Sequence, residues 1–170
     1  MLRDVANRVA VQLFKRVPWM GQAWARSRGF VEADSAPWAP MRKRLDRSVI
    51  ALVTTAGVHL RSQPPFDMAD PDGDPSFRAI PTETPREALT ITHKYYDHSA
   101  ADRDVNVVLP LDRLRELRDE RRIAGIAPEA YSFMGHIDGA HVATLMELTA
   151  PAVARALVAY RVDAVFLTPA

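Results

Sequence analysis

The chain has 170 residues, of which 48% are hydrophobic and 25% charged, as expected for one globular domain with a real core. Its formal net charge of +1 excludes the strongly basic character that marks most nucleic-acid-binding domains. The absence of cysteine excludes disulfides, thiolate metal sites and a cysteine nucleophile within this sequence. We find no apolar run of about 20 residues and no signal-peptide core, so we expect a cytoplasmic protein without a membrane span.

The N-terminal segment is predicted to be an amphipathic helix over residues 2–17 that ends at Pro18. Basic residues occupy its other side, so the helix suits packing on its own domain, docking on a partner or lying on a membrane surface. We assign residues 1–47 to an N-terminal helical extension and residues 48–170 to an α/β domain. The apolar stripe, which we expect to pack on protein, consists of Leu2, Val5, Val9 and Leu13.

The first strand is predicted over residues 49–54, an almost unbroken apolar run of the kind that parallel sheets bury on both faces. Small and hydroxyl-bearing residues follow it, and open α/β sheets bind ligands at the carboxyl ends of their strands. An ordinary strand-to-loop turn is the alternative. The first candidates for substrate binding are therefore Thr54, Thr55, Gly57 and His59.

A proline-rich segment follows over residues 61–87 and is predicted to be a long, ordered loop. Its aspartates resemble a calcium loop, but Pro75 stands where that motif requires glycine, so turn chemistry is the better interpretation. Further strands are predicted over residues 88–93 and 105–109, and a helix begins at Pro110. More site candidates follow these elements: His93, Tyr96, Asp97 and, in a second loop of glycine and histidine, His136.

The C-terminal part is predicted to be helical from about residue 140 to 162 in two pieces, with Thr149 as the N-cap of the second. A last strand follows over residues 163–167. Strands alternating with helices predict a mostly parallel, Rossmann-like sheet with flanking helices. The last strand has no following helix to cover it, so we expect that Ala170 is not the biological C-terminus.

The histidines that follow strand ends suit acid–base chemistry or substrate orientation near neutral pH. His59, His93 and Asp97 also offer imidazole and carboxylate ligands to a metal, but no tight ligand motif is present and we predict no metal site. Tyr96 and Asp97 are suited to orienting an amine or a carboxylate. A purely structural role in ordered loops is the alternative for all of them. The motifs of serine hydrolases and of nucleotide-binding loops are absent.

Several short motifs, in their order and spacing over residues 48–170, resemble the selenoprotein B family of the glycine, sarcosine, betaine and D-proline reductases. The motifs are Thr54-Thr55-Ala56-Gly57-Val58-His59, Gln63-Pro64-Pro65-Phe66-Asp67, Gly73-Asp74-Pro75-Ser76-Phe77-Arg78, His93-Lys94-Tyr95-Tyr96-Asp97, Asn106-Val107-Val108 and Pro110-Leu111-Asp112-Arg113-Leu114. The resemblance implies reductive cleavage of a C–N bond in a small amine or amino acid. It also implies a second reductase subunit that carries a carbonyl (pyruvoyl) group.

The family's reactive residue is a selenocysteine with a cysteine nearby, just after a strand such as residues 163–167, and neither occurs here. The resemblance therefore implies that no catalytic residue lies in this chain, that a UGA codon follows Ala170, and that the domain is truncated before its redox loop. We expect no other cofactor. The alternative is a non-catalytic α/β module for small-molecule binding or assembly, and a homo-oligomer is expected if the N-terminal stripe makes a subunit contact.

Overall fold

The computed structural model describes residues 39–170, together with residues 17 and 19. The helix predicted over residues 2–17 therefore lies, apart from its last residue, outside the described part of the chain. Met41–Ala170 form one compact unit, which contains all the elements described below.

A mixed five-stranded sheet forms the centre of this unit, with β1 (Val49–Thr54) in its middle. On one side β1 pairs in parallel with β7 (Ala164–Thr168). On the other side it pairs in parallel with β5 (Gly125–Ile126) and then with β6 (Glu129–Phe133). Beyond β6 lies β3 (Phe77–Pro81), which runs antiparallel to it. The prediction of an α/β fold with a mostly parallel sheet is confirmed, and β1 is its buried central strand.

A second, two-stranded sheet is formed by β2 (Val58–Leu60) and β4 (Leu89–Ile91), which run antiparallel. The strand predicted over residues 88–93 therefore exists in a shorter form, but it pairs with β2 and not with the parallel sheet. Leu60 faces Leu89 and Val58 faces Ile91 across this pair, and these side chains join the main core.

The strand predicted over residues 105–109 is wrong, because Val105–Val107 form a single 3-10 turn. The Asp104 carboxylate accepts a hydrogen bond from the Asn106 backbone N–H, and the Asn106 amide donates to Asp104 and to Asp112. Such local side-chain bonds offer the backbone an alternative to strand pairing.

Four strands were missed by the sequence prediction, namely the short β2 and β5 and the longer β3 and β6. β3 lies inside the segment that was predicted to be an irregular loop. In β6, small residues on one face alternate with Tyr131 and Phe133 on the other, so the apolar pattern appears on only one side. Such a strand is recognised mainly once its partners are known.

The helices are short apart from one near the C-terminus. α1 (Ser99–Arg103) precedes the 3-10 turn, and α2 (Leu111–Asp119) follows Pro110 as predicted. Then α3 (His141–Thr144), a π-helical turn (Leu145–Thr149) and α4 (Ala150–Ala159) join into one helix, which we call the long helix.

The predicted break of the long helix at Thr149 is wrong. Thr149 has helical backbone angles, its side chain forms no cap, and its buried hydroxyl has no partner within the described residues. Pro151 removes one hydrogen bond from the helix, and the wider π-helical turn lies directly before α4.

The sheet buries side chains on both of its faces. One face packs Ile50 and Leu52 with Leu111 and Leu114 of α2. The other face packs Tyr131 and Phe133 with residues of the long helix, among them Val153 and Leu157. This two-sided packing is the arrangement that a parallel sheet requires.

The long helix, His141–Ala159, is the one helix of the described chain whose length and hydropathy would allow it to cross a membrane. The sequence analysis predicts no membrane span because it finds no unbroken apolar run of about 20 residues. The helix carries Glu147 and Arg155, and its Val153 is buried against the sheet. Only 6% of the apolar stretch is buried, so the helix contacts the sheet through a narrow stripe around Val153 and leaves most of its apolar surface exposed.

Candidate functional site

The carboxyl ends of β1 and β7 meet the loops that follow β4 and β6. The Thr55 backbone N–H donates to the Thr168 carbonyl at 3.1 Å, and the Thr55 hydroxyl accepts from the Ala170 N–H at 3.1 Å. A single bridge joins Ala56 to Met134. Loops from distant parts of the sequence are thereby held together at the carboxyl ends of the strands, where α/β folds bind ligands.

Gly57 fixes the contact between the first of these loops and the loop after β4. Its φ of +68° lies in the left-handed region, and a Cβ here would stand 2.5 Å from the Thr92 carbonyl oxygen. Its N–H donates to the Phe133 carbonyl at 2.9 Å, and its carbonyl accepts from Thr92 N–H at 2.9 Å. Only glycine allows this approach without strain, and the approach brings His93 to the end of β1.

His93 is the most buried polar side chain of the site, with 7% of its surface exposed. Burial, followed by the nearby His136 and His98, lowers its pKa from 6.5 to about 4, so the ring is neutral at pH 7. Its Nδ1 lies 3.1 Å from the Tyr95 backbone N, and its Nε2 lies 3.3 Å from the Gly135 backbone N.

A neutral imidazole carries one hydrogen and one lone pair, so His93 cannot accept hydrogen bonds at both nitrogens. The shorter contact makes Nδ1 the acceptor from Tyr95 and leaves the hydrogen on Nε2. That hydrogen faces the Gly135 N–H, which is a second donor, so the two groups do not satisfy each other. The His93 Nε2–H is therefore a donor without an acceptor in these contacts, although its side chain is only 7% exposed and a Cβ at Gly135 would lie 3.0 Å from the backbone oxygens of Thr55 and Ala170.

Aromatic rings surround His93. The Tyr96 ring centroid lies 4.7 Å from that of His93, and the Tyr95 centroid lies 5.9 Å away. Tyr95 also stacks on His136, with 4.0 Å between the ring centroids and 32° between the ring planes. The His136 Nε2 donates to the Pro71 carbonyl at 2.8 Å, which holds the ring in place. The Lys94 ammonium lies 5.5 Å from the Tyr95 centroid, so this ring already holds a cation over its face.

Tyr96 is held by its hydroxyl, which donates to the Ala56 carbonyl at 3.1 Å. Burial, followed by the Asp102 carboxylate, raises the pKa of Tyr96 to about 12. The phenol therefore stays protonated near neutral pH and serves as a fixed wall beside His93.

Three of the predicted site residues point elsewhere. Thr54 is buried, and its hydroxyl donates to the Thr168 carbonyl while accepting from the Ala56 N–H, both at 3.2 Å. His59 is also buried, donating from Nδ1 to the Leu60 carbonyl and accepting at Nε2 from the Thr92 hydroxyl. Asp97 is exposed and accepts from the Ser99 N–H at the start of α1. The structure thus brings together Thr55, Gly57, His93, Tyr96 and His136.

Sequence reasoning missed two residues of this cluster, Tyr95 and Gly135. Tyr95 lies between His93 and Tyr96, which the sequence analysis predicts as site residues. Only the fold shows that Tyr95 contacts His93 and His136. Gly135 was noted as part of a loop of glycine and histidine. A correct prediction of β6 would have placed that loop at the same sheet edge as Thr55.

Two further histidines pair with carboxylates outside this cluster. His141 lies 3.0 Å from Asp70, and the hydrogen bond between them lowers the pKa of that aspartate. His98 lies 2.7 Å from Asp102. Among residues 39–170 no three histidine and acidic side chains converge as metal ligands.

Comparison with known proteins agrees with the motifs in the sequence. A family model described as glycine/sarcosine/betaine reductase selenoprotein B matches residues 4–170. The chain belongs to this family. No solved structure matches it.

Two curated proteins are similar to this chain. D-proline reductase subunit gamma of Acetoanaerobium sticklandii is 38% identical over 131 residues, which cover 77% of this chain and 52% of the relative. Glycine reductase complex component B subunit gamma of Carboxydothermus hydrogenoformans is 33% identical over 138 residues, covering 79% of this chain and 31% of the relative. The chain thus spans about half the length of the first and about a third of the second.

Proposed function

We propose that this chain provides the substrate-facing part of a reductase subunit that cleaves a C–N bond in a small amine or amino acid. The names of the relatives support the reaction class, since both are subunits of amino-acid reductases. The sequence contains no cysteine, so we propose that the redox group is supplied by polypeptide outside these 170 residues. The same proposal includes a cytoplasmic location and a carbonyl-bearing partner subunit.

The observation that carries this proposal is the nearly buried His93, whose two nitrogens both face backbone N–H groups, so that its Nε2–H lacks an acceptor beside Gly135. Here a neutral, nearly buried donor stands at the carboxyl ends of two parallel strands. A carboxylate or a carbonyl-derived oxygen of a substrate accepts a hydrogen bond from it. The stacked rings of Tyr95 and His136 then lie beside the amine, which takes the position over the Tyr95 ring that the Lys94 ammonium holds at 5.5 Å from the centroid.

Reductive cleavage of one C–N bond consumes two electrons and two protons and leaves one C–H and one N–H bond. Oxidation of one selenol and one thiol to a selenium–sulfur bond releases that number of each, which is what the pair implied by the family would supply. This chain's contribution is orientation: His93 donates at one end of the substrate, and Tyr96 walls the site without ionising.

The test is substrate binding by the isotopically labelled 170-residue chain, followed by NMR. The probes are glycine, sarcosine, betaine and D-proline, added singly up to millimolar concentration. We expect one of them to shift the Gly135 amide and the Tyr95 and His136 ring signals. We expect Tyr95→Leu to weaken that binding at least tenfold, because the π face is lost.

Tyr160→Leu is the matched control, because Tyr160 hydrogen-bonds Glu129 at the opposite end of β6. With dithiothreitol as reductant, the chain alone is expected to bind its substrate without reducing it. The proposal is wrong if none of the four compounds binds, or if Tyr95→Leu binds as well as the parent. Substrate reduction by the chain alone would contradict an external redox group, and binding with no reduction even in a reconstituted complex would favour the non-catalytic module.

A further inference from the structure

The edge strand β7 exposes apolar side chains on both of its faces. Val165, Phe166 and Leu167 are 40%, 50% and 67% exposed, although they alternate across the strand. One edge of β7 pairs with β1, and no strand among residues 39–170 pairs with the other edge. Strands parallel to their neighbours are ordinarily covered on both faces.

A groove of about 570 Å³ runs along one face of β7, between this strand and α2. Its walls are mainly apolar, and only Asn106, Arg113 and Thr168 bring polar groups to it. The apolar residues that line it include Leu45, Val107, Leu114, Leu117, Ile123 and Phe166. An open groove beside a parallel strand is where a covering helix packs in α/β folds.

The sequence of β7 has none of the features that normally protect a free strand edge from pairing with other polypeptide. The strand reads Ala-Val-Phe-Leu-Thr, without a charge, a proline or a glycine. Natural proteins protect exposed edges with charged residues, prolines or bulges, or cover them with another element. A contiguous apolar surface of this kind marks a place where other polypeptide binds.

We infer that β7 and this groove together form a docking surface for a β-strand with an adjoining amphipathic helix. The occupant belongs to the part of the reductase fold that the relatives possess and this chain does not match. The D-proline reductase subunit has about as much sequence outside the match as inside it. That length is ample for a strand and a helix.

This occupant fits better than a second copy of the chain. Pairing of two β7 strands would use their free edges but would not by itself fill the groove beside α2. The docked segment also reaches the candidate site, because Ala170, next to β7, bonds the Thr55 hydroxyl. In this respect the inference rests on the proposed function, since it gives the redox-bearing polypeptide a way into the site.

The test is co-expression of the 170-residue chain, carrying an N-terminal affinity tag, with the unmatched part of the Acetoanaerobium sticklandii D-proline reductase subunit gamma as a separate polypeptide. We expect the two to co-purify at one to one. Hydrogen exchange of the amides in Ala164–Thr168 is expected to slow at least tenfold in the complex relative to the chain alone.

Phe166→Lys is the decisive variant, because Phe166 is 50% exposed and lines the groove, where a charge must lose its water when polypeptide covers it. We expect it to reduce co-purification at least tenfold. Met146→Lys is the matched control, since Met146 is 56% exposed and lies outside β7 and the groove, and it is expected to bind as the parent does. Thermal unfolding establishes that both variants fold, and Leu167→Lys, on the same exposed strand, replaces Phe166→Lys if the latter does not.

Equal recovery with Phe166→Lys, or no co-purification with the parent chain, overturns the inference. A dimer of the chain alone that Phe166→Lys dissociates also overturns it, since the surface would then join two copies. The assay contains no amine substrate and measures no reduction. Its failure is therefore separate from failure of the proposed function, which is tested by substrate binding.

Discussion

His93 links the candidate site to the stability of the fold through its protonation. The folded state keeps its pKa at about 4, whereas the unfolded chain has the ordinary value of 6.5. Above pH 6.5 both states hold a neutral ring, and this histidine adds no pH dependence. As the pH falls from 6.5 to 4, the His93 ring binds a proton in the unfolded state but stays neutral in the folded state. The free energy of unfolding therefore falls.

We therefore expect stability to decrease between pH 6.5 and pH 4, by up to about 1.4 kcal/mol per pH unit from this group. The measurement is urea denaturation of the parent and of His93→Gln at several pH values. The two free-energy curves should converge as the pH falls through this window and run parallel above pH 7. Parallel curves over the whole range would mean that His93 is not held neutral by burial.

Gly57 is the residue whose backbone brings the loop after β1 against the loop after β4. Gly57→Ala is expected to lower the free energy of unfolding by at least about 2 kcal/mol, because it adds a left-handed φ for alanine to a clash with the Thr92 carbonyl. It should also shift the NMR signals of His93. The measurement is chemical denaturation together with those spectra.

Gly125→Ala is the control for this prediction, since a Cβ at Gly125 would meet only Val49, at 3.9 Å. That variant should unfold within about 0.5 kcal/mol of the parent. Similar losses for the two variants would show that the close approach at Gly57 is unimportant.

At the scale of the element, the long helix is distinctive because its composition also suits a membrane. Two valines on it separate the two interpretations. Val153 is 4% exposed against Tyr131 and Phe133, whereas Val158 is 77% exposed. If the helix packs on the sheet, the protein gains stability from the first valine only.

We expect Val153→Ala to cost about 2 kcal/mol of unfolding free energy through lost burial and a residual cavity. Val158→Ala should change it by less than about 0.5 kcal/mol, because that side chain stays in solvent. Denaturation of the purified chain in detergent-free buffer measures both. Equal effects, or a requirement for detergent, would argue against packing on the sheet.

For the whole molecule, the site is assembled from loops that are far apart in the sequence. The contact between Gly135 and His93 joins residues 42 positions apart, and the hydrogen bond between Ala170 and Thr55 joins residues 115 apart. Both depend on β1 lying between β6 and β7. The same arrangement leaves β7 at the edge, so the site and the proposed docking surface adjoin each other.

Local patterns in the sequence were enough for several features. The apolar run of residues 49–54 determined the central strand, Pro110 marked the start of α2, and the ordered motifs indicated the reductase family. These signals rest on interactions within a few residues or on whole-chain similarity. The same local reasoning failed at residues 105–109, where the side chains of Asp104 and Asn106 hold the backbone in a turn.

The sequence by itself determined the fold class, the family and the loops that carry the candidate residues. Only the tertiary structure decided that His93 faces Gly135 while His59 turns inward to Thr92. Both histidines lie near predicted strand ends, so the sequence pattern predicts the same role for both. What separates them is which backbone groups other strands bring to each imidazole, and that is settled by the pairing and packing of the whole chain.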